Sequence, residues 1–485
     1  MKEAHTELSV LPQGGLFIDG QFIDAADGAT MKHVNPSTGE TTRAFALAGT
    51  ANIDRAVQAA RRAFPAWKAL GAAQRRALLL RIADRFEAQL ARLTPMAVIE
   101  NGTPISFAGY VSAIAPADWF RYYAGWVDKL SGQVPPMLDG SGLHYTVREP
   151  YGVIAVLTAF NAPMSFIGMK IAAALAAGNC VVIKPSELAP WSALAFAELC
   201  TEAGLPPGVV NVVPALAAGG EALVRHRDID KISFTGGGRT ASAILAAAAT
   251  NLRPVTLELG GKSANLIFDD ADLPVAAANA VYTSVALQSG QACIAGTRLL
   301  VQRGVYDAVV EQVTAIAASL PVGDPFSPET ALGPIINAHH CNRIASFVDG
   351  IDHGRITLHG ERRDLGGGFF LSPTVVADVD PDSSLAQEEI FGPVLAIIPF
   401  DTDEDAIRIA NRSRYGLAGY VFTRSLDRAL RAAREIEAGT IAVNKLNMLP
   451  ANLPFGGCKA SGFGREGGED GILDMTHSKS VQIAL

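Results

Sequence analysis

Apolar residues follow two different spacings along the chain, and the change from one to the other falls near residue 151. From about residue 52 to residue 125 they recur every three or four positions, as in VQAARRAFPAWKAL and RRALLLRIADRFEAQLARL. This spacing predicts amphipathic helices, to which we assign no chemistry of their own. Ahead of these helices, FIDGQFID (17–24) predicts two short strands around an Asp-Gly turn.

From Tyr151 onward, short apolar runs alternate with helical segments. Such alternation means right-handed crossovers and a mostly parallel sheet, whose ligands bind beyond the carboxyl ends of the strands. The predicted strands are GVIAVLT, CVVIK, GVVNVVP and IDKISFTGGG. The predicted helices are MSFIGMKIAAALAAG, ended by Gly178, WSALAFAELCTEAG, ended by Gly204, GEALVRH and RTASAILAAAA.

A second alternating block runs from SANLIFDD (263–270) to about GTIAVN (439–444) and includes RLLVQ, VLAIIPF and AGYVFT as strands. Between Trp126 and Glu149, prolines and glycines break the helical pattern, which predicts a projecting hairpin. The final KSVQIAL predicts a lone strand. Two strands without a sheet of their own favour pairing across subunits.

Composition narrows the class of protein. The 485 residues are 49% hydrophobic and 18% charged, with a formal net charge of −8, as in a globular protein of two or three domains. No basic stripe is present, which argues against a nucleic-acid partner. The first residues lack the apolar core of a signal peptide, and no apolar run is long enough to span a membrane. Five dispersed cysteines favour a reducing compartment, so we expect a cytoplasmic protein.

Three stretches are candidates for a phosphate or ribose site. GFGREG (462–467) matches a dinucleotide fingerprint literally, but only eighteen residues follow it, so no βαβ unit fits and we set it aside. ISFTGGGRTA (232–241) leads from a strand through glycines into a helix, which suits either an anion or an ordinary turn. IKPSE (183–187) places Lys184 and Glu187 at a strand end, where Glu187 is either a ribose acceptor or a helix cap.

Three further residues suit acyl chemistry. Glu258 stands between two leucines before a Gly-Gly turn, and apolar surroundings raise a carboxyl pKa as a general base requires. Asn161 ends a predicted buried strand, where its NH₂ can face a cleft. Cys293 lies in a loop after a helix predicted at 272–287; taken alone, it is equally compatible with a small buried hydrophobe. A thiol needs an electropositive setting to ionise at neutral pH.

The chain resembles the aldehyde dehydrogenase superfamily, hydrolytic type, over nearly its full length. The motifs that carry the resemblance are VLTAFNAP, VVIKPSE, SFTGGG, LELGGKSA, GQACIAGTR, EEIFGPV and PFGGCKASGFGRE, in the family's order. The resemblance implies an α/β fold: a Rossmann-type cofactor domain, an α/β catalytic domain and a small β oligomerisation flap. It implies domains at 1–126 with 148–259 (NAD-binding) and 260–452 (catalytic), oligomerisation strands at 127–147 and 476–485, and a segment at 453–475 that packs near the active site.

The same resemblance implies roles for individual residues. Cys293 is the expected nucleophile, Asn161 and the Cys293 backbone N–H the oxyanion donors, and Glu258 the general base, with Lys170 and Glu466 as a supporting proton relay. The expected cofactor is NAD, which is favoured over NADP. Its expected contacts are Thr158, Phe160, Lys184, Glu187, Phe234, Gly236, Gly237, Leu259, Glu389 and Phe391. Relative to the family, a small hydroxyl that contacts phosphate is replaced by Gly237, so backbone N–H groups must do that work.

The resemblance also places a substrate tunnel, at Ala162, Phe166, Met169, Ala292, Ile294 and Phe455. These side chains are apolar, which favours a medium-sized aliphatic or aromatic aldehyde over a carboxylate-bearing semialdehyde. A CoA-acylating relative and a catalytically silent protein of the same fold are the alternatives. We expect no metal at His339–His340, inert packing roles for Cys180, Cys200 and Cys458, and a homodimer or homotetramer as the working unit.

Overall fold

The computed structural model describes residues 8–138, 142–446 and 449–484. The strands, in chain order, are β1 (Leu16–Ile18), β2 (Gln21–Ile23), β3 (Thr30–Val34), β4 (Thr41–Ala46), β5 (Leu143–Pro150), β6 (Val153–Leu157), β7 (Cys180–Lys184), β8 (Val210–Val212), β9 (Lys231–Thr235), β10 (Val255–Glu258), β11 (Ala264–Ile267), β12 (Arg298–Gln302), β13 (Arg355–Leu358), β14 (Arg362–Arg363), β15 (Phe370–Leu371), β16 (Thr374–Ala377), β17 (Val394–Phe400), β18 (Tyr415–Gly416), β19 (Ala418–Phe422), β20 (Thr440–Val443), β21 (Cys458–Lys459), β22 (Gly462–Phe463) and β23 (Thr476–Ile483).

The α-helices surround these strands. They are α1 (Thr50–Ala69), α2 (Ala72–Ala88), α3 (Leu90–Asn101), α4 (Ile105–Gly109), α5 (Ala115–Ala124), α6 (Pro163–Ala177), α7 (Trp191–Glu202), α8 (Ala217–Arg225), α9 (Gly238–Ala249), α10 (Leu273–Val281), α11 (Tyr306–Ser319), α12 (Ala338–Asp349), α13 (Ser384–Gln387), α14 (Asp403–Asn411), α15 (Leu426–Glu435) and α16 (Gly468–Leu473). Two π-helical turns, Tyr110–Ile114 and Tyr282–Ala286, follow α4 and α10 directly.

The first sheet has eight strands in the order β2-β1-β8-β7-β6-β9-β10-β22. Its centre is parallel and every residue of β6 and β9 is buried, because helices cover both faces. The strand and helix alternation predicted after Tyr151 is confirmed, including a left-handed Gly178 (φ 99°) at the end of α6. The hairpin predicted for 17–24 is present as β1 and β2.

The edge strand β22 shows the structural role of the glycine-rich motif GFGREG (462–467). Gly462 and Phe463 pair antiparallel with Glu258 and Leu257 of β10. GFGREG is therefore part of a sheet edge beside the end of β10. The helix that follows it, α16, has only six residues, and the next strand, β23, pairs with β5, so no βαβ unit is formed. Among the described residues, no helix has both the length and the apolar character that a membrane span requires.

The second sheet has seven strands in the order β13-β16-β17-β12-β11-β19-β20, parallel except at β13. The strands predicted from RLLVQ, VLAIIPF, AGYVFT and GTIAVN all belong to it. A separate ribbon joins β5 and β23, which pair antiparallel from Leu143 with Ile483 to Pro150 with Thr476. The expectation that these two strands lack a partner within the chain is therefore wrong, because they pair with each other.

Candidate functional site

Cys293 lies in a tightly turned loop between the two sheets. The α-helix predicted to reach residue 287 ends at Val281 and continues as the π-helical turn. Gln288 and Ser289 then adopt left-handed backbone conformations, with φ of 50° and 55°. At Gly290 (φ 73°) an added Cβ would lie 2.2 Å from the Gly392 carbonyl oxygen, so only glycine fits.

Asn161 follows β6 at the carboxyl edge of the first sheet, as predicted. Its side chain is buried, and Nδ2 donates to the Gln291 carbonyl oxygen at 2.9 Å. Gln291 stands two residues before Cys293, so this bond brings the amide to the cysteine loop. One N–H of the amide is used in this way, which leaves the second N–H available to a ligand.

Glu258 is the last residue of β10 and is buried, with neither carboxylate oxygen hydrogen-bonded to a described residue. Burial raises its pKa well above the usual value, and the neighbouring Glu466 carboxylate raises it further. Lys170 and Glu466 form a closely spaced ion pair that is also fully buried. The Lys170 ammonium donates in addition to the Ser233 hydroxyl at 3.0 Å.

The Gly260–Gly261 turn lets the two sheets approach each other at the site. A Cβ on Gly260 would lie 1.9 Å from Oε2 of Glu389, and one on Gly261 would lie 2.5 Å from the Cys293 carbonyl oxygen. The Glu389 carboxylate accepts from the Gly261 N–H at 3.0 Å. The glycine pair thus brings Glu258, Glu389 and Cys293 into one region.

The thiol of Cys293 is held in its protonated form by these surroundings. Desolvation, followed by the Glu389 and Glu258 carboxylates, raises its pKa to about 12. Its own backbone N–H and that of Ile294 face the sulfur and oppose the shift. A positive charge beside the sulfur would lower this pKa and favour the nucleophilic thiolate near neutral pH.

An apolar tunnel of about 120 Å³ leads to Cys293. Ala162, Phe166, Met169, Ala292 and Ile294 line it, as predicted. The sixth predicted residue, Phe455, does not belong to the described lining; it is buried beside Glu466, with which it exchanges two backbone hydrogen bonds. No charged side chain occurs among the described residues of the tunnel wall.

The sequence did not predict thirteen of the twenty described lining residues of this tunnel. Helices α4 and α5 and the π-turn between them were assigned no chemistry, yet they form one side of the tunnel. Their contribution is Phe107, Tyr110, Val111, Ala115 and Trp119, and the remaining unpredicted lining residues are Ser165, Tyr282, Thr283, Leu287, Gln288, Tyr420, Leu446 and Leu449. Both π-turns begin with a tunnel tyrosine, but a π-turn has no sequence signature that would have revealed this.

A second cavity, of about 530 Å³, opens beyond the carboxyl ends of β6, β7 and β9. Of the predicted cofactor residues, Thr158, Lys184 and Phe234 line it. The Lys184 ammonium lies 3.1 Å from Glu187 Oε2. Helices α8 and α9 supply the unpredicted walls: Ala217, Gly220, Glu221, Val224, Arg225, Arg239, Thr240, Ala243, Ile244, Ala246 and Ala247.

The residues of this cavity fit a dinucleotide. The buried hydroxyl of Thr158 has no hydrogen-bond partner among the described residues. A Cβ on Gly237 or Gly238 would meet nothing within 4 Å, so the N-terminus of α9 is open to a phosphate. Gly236 is packed more closely, because a Cβ there would lie 2.4 Å from the Phe234 ring.

Four further predicted cofactor residues, Phe160, Leu259, Glu389 and Phe391, do not belong to the described lining of this cavity. The Phe160 and Phe391 rings meet edge to face, with centroids 5.8 Å apart. The Leu259 N–H donates to the Ser461 carbonyl oxygen at 3.0 Å. Burial raises the pKa of Glu389 to about 6. Of these groups, the Glu389 carboxylate is close enough to Cys293 to raise the pKa of the thiol.

The contacts of His340 and of the cysteines Cys180, Cys200 and Cys458 are those of residues that stabilise the fold. Asn337 caps α12 through the His340 N–H, and the His340 ring bonds the Phe391 carbonyl oxygen at 2.7 Å. Within the described ranges, no group of three or more metal-ligating side chains occurs. Cys180 and Cys200 are buried, and the Cys458 thiol donates to two carbonyl oxygens.

Comparison with known proteins identifies relatives of full length. The sequence pattern of the Aldehyde dehydrogenase family matches residues 22–481. The mitochondrial aldehyde dehydrogenase of Homo sapiens is 40% identical, over 97% of this chain and 92% of its own length. Betaine aldehyde dehydrogenase 2 of Rhizobium meliloti is 40% identical, over 98% of both chains. The crystal structure of PnpE in complex with nicotinamide adenine dinucleotide superposes with a TM-score of 0.95, at 42% identity, over 97% of this chain and 98% of that one.

Proposed function

Because the chain belongs to the aldehyde dehydrogenase family and is an NAD-dependent aldehyde dehydrogenase, we propose that it oxidises an apolar aldehyde to the acid through a covalent bond to Cys293. The observation that carries this proposal is the shared cavity: the Cys293 thiol and the Asn161 amide both line one apolar tunnel. A nucleophile and an oxyanion donor at the end of one channel are what acyl chemistry requires.

The first step is attack of the Cys293 sulfur on the aldehyde carbon. The S–C bond forms as the carbonyl π electrons move to oxygen, which gives a thiohemiacetal oxyanion. The free N–H of Asn161 and the backbone N–H of Cys293 donate to that oxygen. Each such donor is expected to contribute about 10²–10³-fold to the rate.

NAD⁺, when bound, would accept the hydride that the thiohemiacetal carbon must lose as its C=O bond re-forms to give the Cys293 thioester, and it would place a positive charge beside the thiol. Thr158, Lys184, Glu187, Phe234, Gly236 and Gly237 would hold its adenosine and phosphate part, and Phe160, Leu259, Glu389 and Phe391 its nicotinamide part. Glu187 accepts hydrogen bonds from a ribose diol and repels a 2′-phosphate, so NADP is expected to bind less well.

Hydrolysis then releases the acid. Glu258 takes a proton from water, the water oxygen attacks the thioester carbon, and the C–S bond breaks to return the Cys293 thiolate. The raised pKa of Glu258 makes it a strong base once it is deprotonated. The Lys170–Glu466 pair is the proposed relay that removes the proton, since Glu466 is close enough to shift the pKa of Glu258.

The tunnel supports a medium-sized aliphatic or aromatic aldehyde. Its described wall is apolar and aromatic, and it offers no cation to a substrate carboxylate. A semialdehyde would have to lose the hydration of its second carboxylate on entry, without an opposite charge to compensate.

A panel of about thirty aldehydes, assayed by NADH absorbance with NAD and NADP, tests the proposal. Hexanal and benzaldehyde are expected to exceed succinic semialdehyde in kcat/KM, and NAD to exceed NADP. Cys293→Ala should abolish activity, whereas the matched control Cys458→Ala should retain it. Preference for succinic semialdehyde would refute the substrate class, strong stimulation by CoA would indicate the acylating alternative, and activity in Cys293→Ala would refute the mechanism.

The domain organisation and subunit contact predicted from the sequence are part of the same proposal. The first sheet, with residues 1–126 and 148–259, is the proposed NAD-binding domain, and residues 260–452 are the catalytic domain. The ribbon of β5 and β23, within 127–147 and 476–485 and their borders, is the proposed contact between subunits of a homodimer or homotetramer. A reducing, cytoplasmic setting agrees with five free cysteines.

A further inference from the structure

The main chain at Asn161 is held by two carboxamide side chains that the proposed chemistry does not use. Nδ2 of Asn101 donates to the carbonyl oxygens of Phe160 and Asn161, each at 3.1 Å. Nε2 of Gln288 donates to the same Asn161 carbonyl oxygen at 2.5 Å. Since a carbonyl oxygen has two lone pairs, these two donors satisfy the Asn161 carbonyl completely.

The Asn101 side chain is itself fixed at its other end. Asn101 is the last residue of α3, and its Oδ1 accepts from the N–H and the hydroxyl of Thr103, at 3.2 and 2.7 Å. The preceding Glu100 ties the end of the helix to α7 by accepting from the Ser192 N–H at 2.8 Å. The donor that reaches Asn161 therefore projects from a rigid point.

Gln288 reaches Asn161 from the cysteine loop. Its left-handed backbone (φ 50°) is uncommon outside glycine and persists where the surroundings impose it. The neighbouring Ser289 hydroxyl donates to the Gly333 carbonyl oxygen at 2.8 Å, and the Gln291 amide donates to the Gln288 carbonyl oxygen at 3.2 Å. The loop conformation is thus secured at Gln288 and at the residue directly after it.

Together these bonds fix the amide that faces the reacting carbonyl. Asn101 and Gln288 hold the Asn161 main chain, while the Gln291 carbonyl holds one N–H of its side chain. Only the second N–H is left to point into the tunnel. A displacement of about 1 Å in a catalytic group can cost about a hundredfold in rate, so this support has a large effect on function.

We propose that Asn101 and Gln288 are positioning residues of the oxyanion hole: they lock the Asn161 main chain so that its free amide N–H meets the developing oxyanion. The inference rests on the proposed function, in which Asn161 donates to that oxygen. It assigns a role to the end of α3, about sixty residues away from Asn161 in sequence, and to the left-handed residue five positions before the nucleophile.

The test uses Gln288→Met and Asn101→Leu, which keep side-chain size but remove the donor. Two rates are measured without cofactor: hydrolysis of p-nitrophenyl acetate, which passes through an oxyanion at Cys293, and alkylation of Cys293 by iodoacetamide, which does not. Each variant is expected to lower kcat/KM for the ester about tenfold. The alkylation rate should stay within about twofold, because the thiol itself is not disturbed.

Matched controls separate positioning from loss of packing. Gln58→Met removes a carboxamide donor that bonds Asp228, and Thr201→Val removes a hydroxyl donor that bonds the Ala197 carbonyl oxygen, and neither residue contacts Asn161 or its supporting side chains. Both should leave ester hydrolysis within about twofold. In an Asn161→Ala background, Gln288→Met should have no further effect on the ester rate, because the amide that it positions is gone.

Two results would overturn the inference: equal losses of ester hydrolysis and alkylation, or a full tenfold loss from Gln288→Met in the Asn161→Ala background. The inference fails alone if Asn161→Ala slows the ester and neither Gln288→Met nor Asn101→Leu does. If Asn161→Ala itself leaves ester hydrolysis unchanged, the oxyanion role in the proposed function fails first. Should Asn101→Leu not fold, the Gln288→Met comparison decides the matter.

Discussion

Among single residues, Cys293 shows how strongly the surroundings control a functional group. An exposed thiol has a pKa of about 8.5, and here desolvation and two carboxylates raise it to about 12. The surroundings in the isolated protein thus favour the protonated thiol near neutral pH. Reactivity is expected to depend on the cationic cofactor, which couples nucleophile activation to the presence of the hydride acceptor.

The alkylation rate of Cys293 should therefore depend on pH in a characteristic way. Without cofactor, the thiolate fraction increases with pH toward a pKa near 12, so the iodoacetamide rate should increase about tenfold per pH unit from pH 7 to 9.5 with no plateau. Mass spectrometry of the Cys293 peptide measures it, with Cys293→Ala as the blank. A plateau below pH 8 would show that the protein alone ionises the thiol.

Glu258→Gln should separate the two halves of the reaction. The amide cannot take a proton from water, so steady-state turnover should fall by about 10²–10⁴-fold. The first turnover needs no water, and a burst of about one NADH per site should remain in stopped-flow absorbance. Glu187→Gln is the matched control at the other cavity, with turnover expected to persist. Loss of the burst together with turnover would argue against a role limited to hydrolysis.

At the scale of secondary-structure elements, helix N-termini and strand ends form the cofactor cavity. The turn before α9 is the part of this cavity with no side chain at Gly237 to contact a ligand. Gly237 has no Cβ and leaves open space at the helix N-terminus. Backbone N–H groups alone must bind phosphate there. Arg239, the second residue of α9, lines the same cavity.

Gly237→Ser should restore a side-chain donor at this turn. The φ of −82° suits any residue, and nothing lies within 4 Å of the new Cβ. One net hydrogen bond contributes about 0.5–1.5 kcal/mol, so KM for NAD should fall about two- to tenfold with little change in kcat. Gly304→Ser, at an equally open glycine away from this cavity, is the control. An increased KM would mean that the hydroxyl obstructs the phosphate.

The helices before residue 125 illustrate where prediction from pattern stopped. Their apolar spacing correctly predicted amphipathic helices, but spacing does not say which packing partner an apolar face meets. The face of α4, the π-turn and α5 that carries Phe107, Tyr110 and Trp119 lines the substrate tunnel instead of only the core. The missing information was the position of these helices relative to the cysteine loop.

In the whole molecule, two mostly parallel sheets meet at the Gly260–Gly261 turn. The ribbon of β5 and β23 is a separate two-stranded sheet. The backbone hydrogen-bonding groups along one edge of each strand are paired with those of the other strand. Two-stranded ribbons gain stability from further packing, which supports the proposed contact with a second copy.

The mass of the protein in solution tests the proposed contact between two copies of the chain. Light scattering should give two or four times 50.8 kDa. Ser480→Pro, in the middle of β23, removes a backbone N–H and should shift the population toward monomer. Ser478→Ala, two residues earlier in the same strand, keeps the backbone donors and should assemble normally. A wild-type monomer at micromolar concentration would contradict the assembly.

The sequence by itself determined the alternation of strands and helices, the glycines at forced turns, and the motifs that name Cys293, Glu258 and Asn161, because these depend on local spacing and residue chemistry. Only the tertiary structure decided that β5 pairs with β23, that Phe455 is not among the described lining residues of the tunnel, and that Asn101 and Gln288 support Asn161. Each of these is a contact between residues far apart in the chain. Such contacts depend on how packed elements are oriented, which a local pattern does not encode.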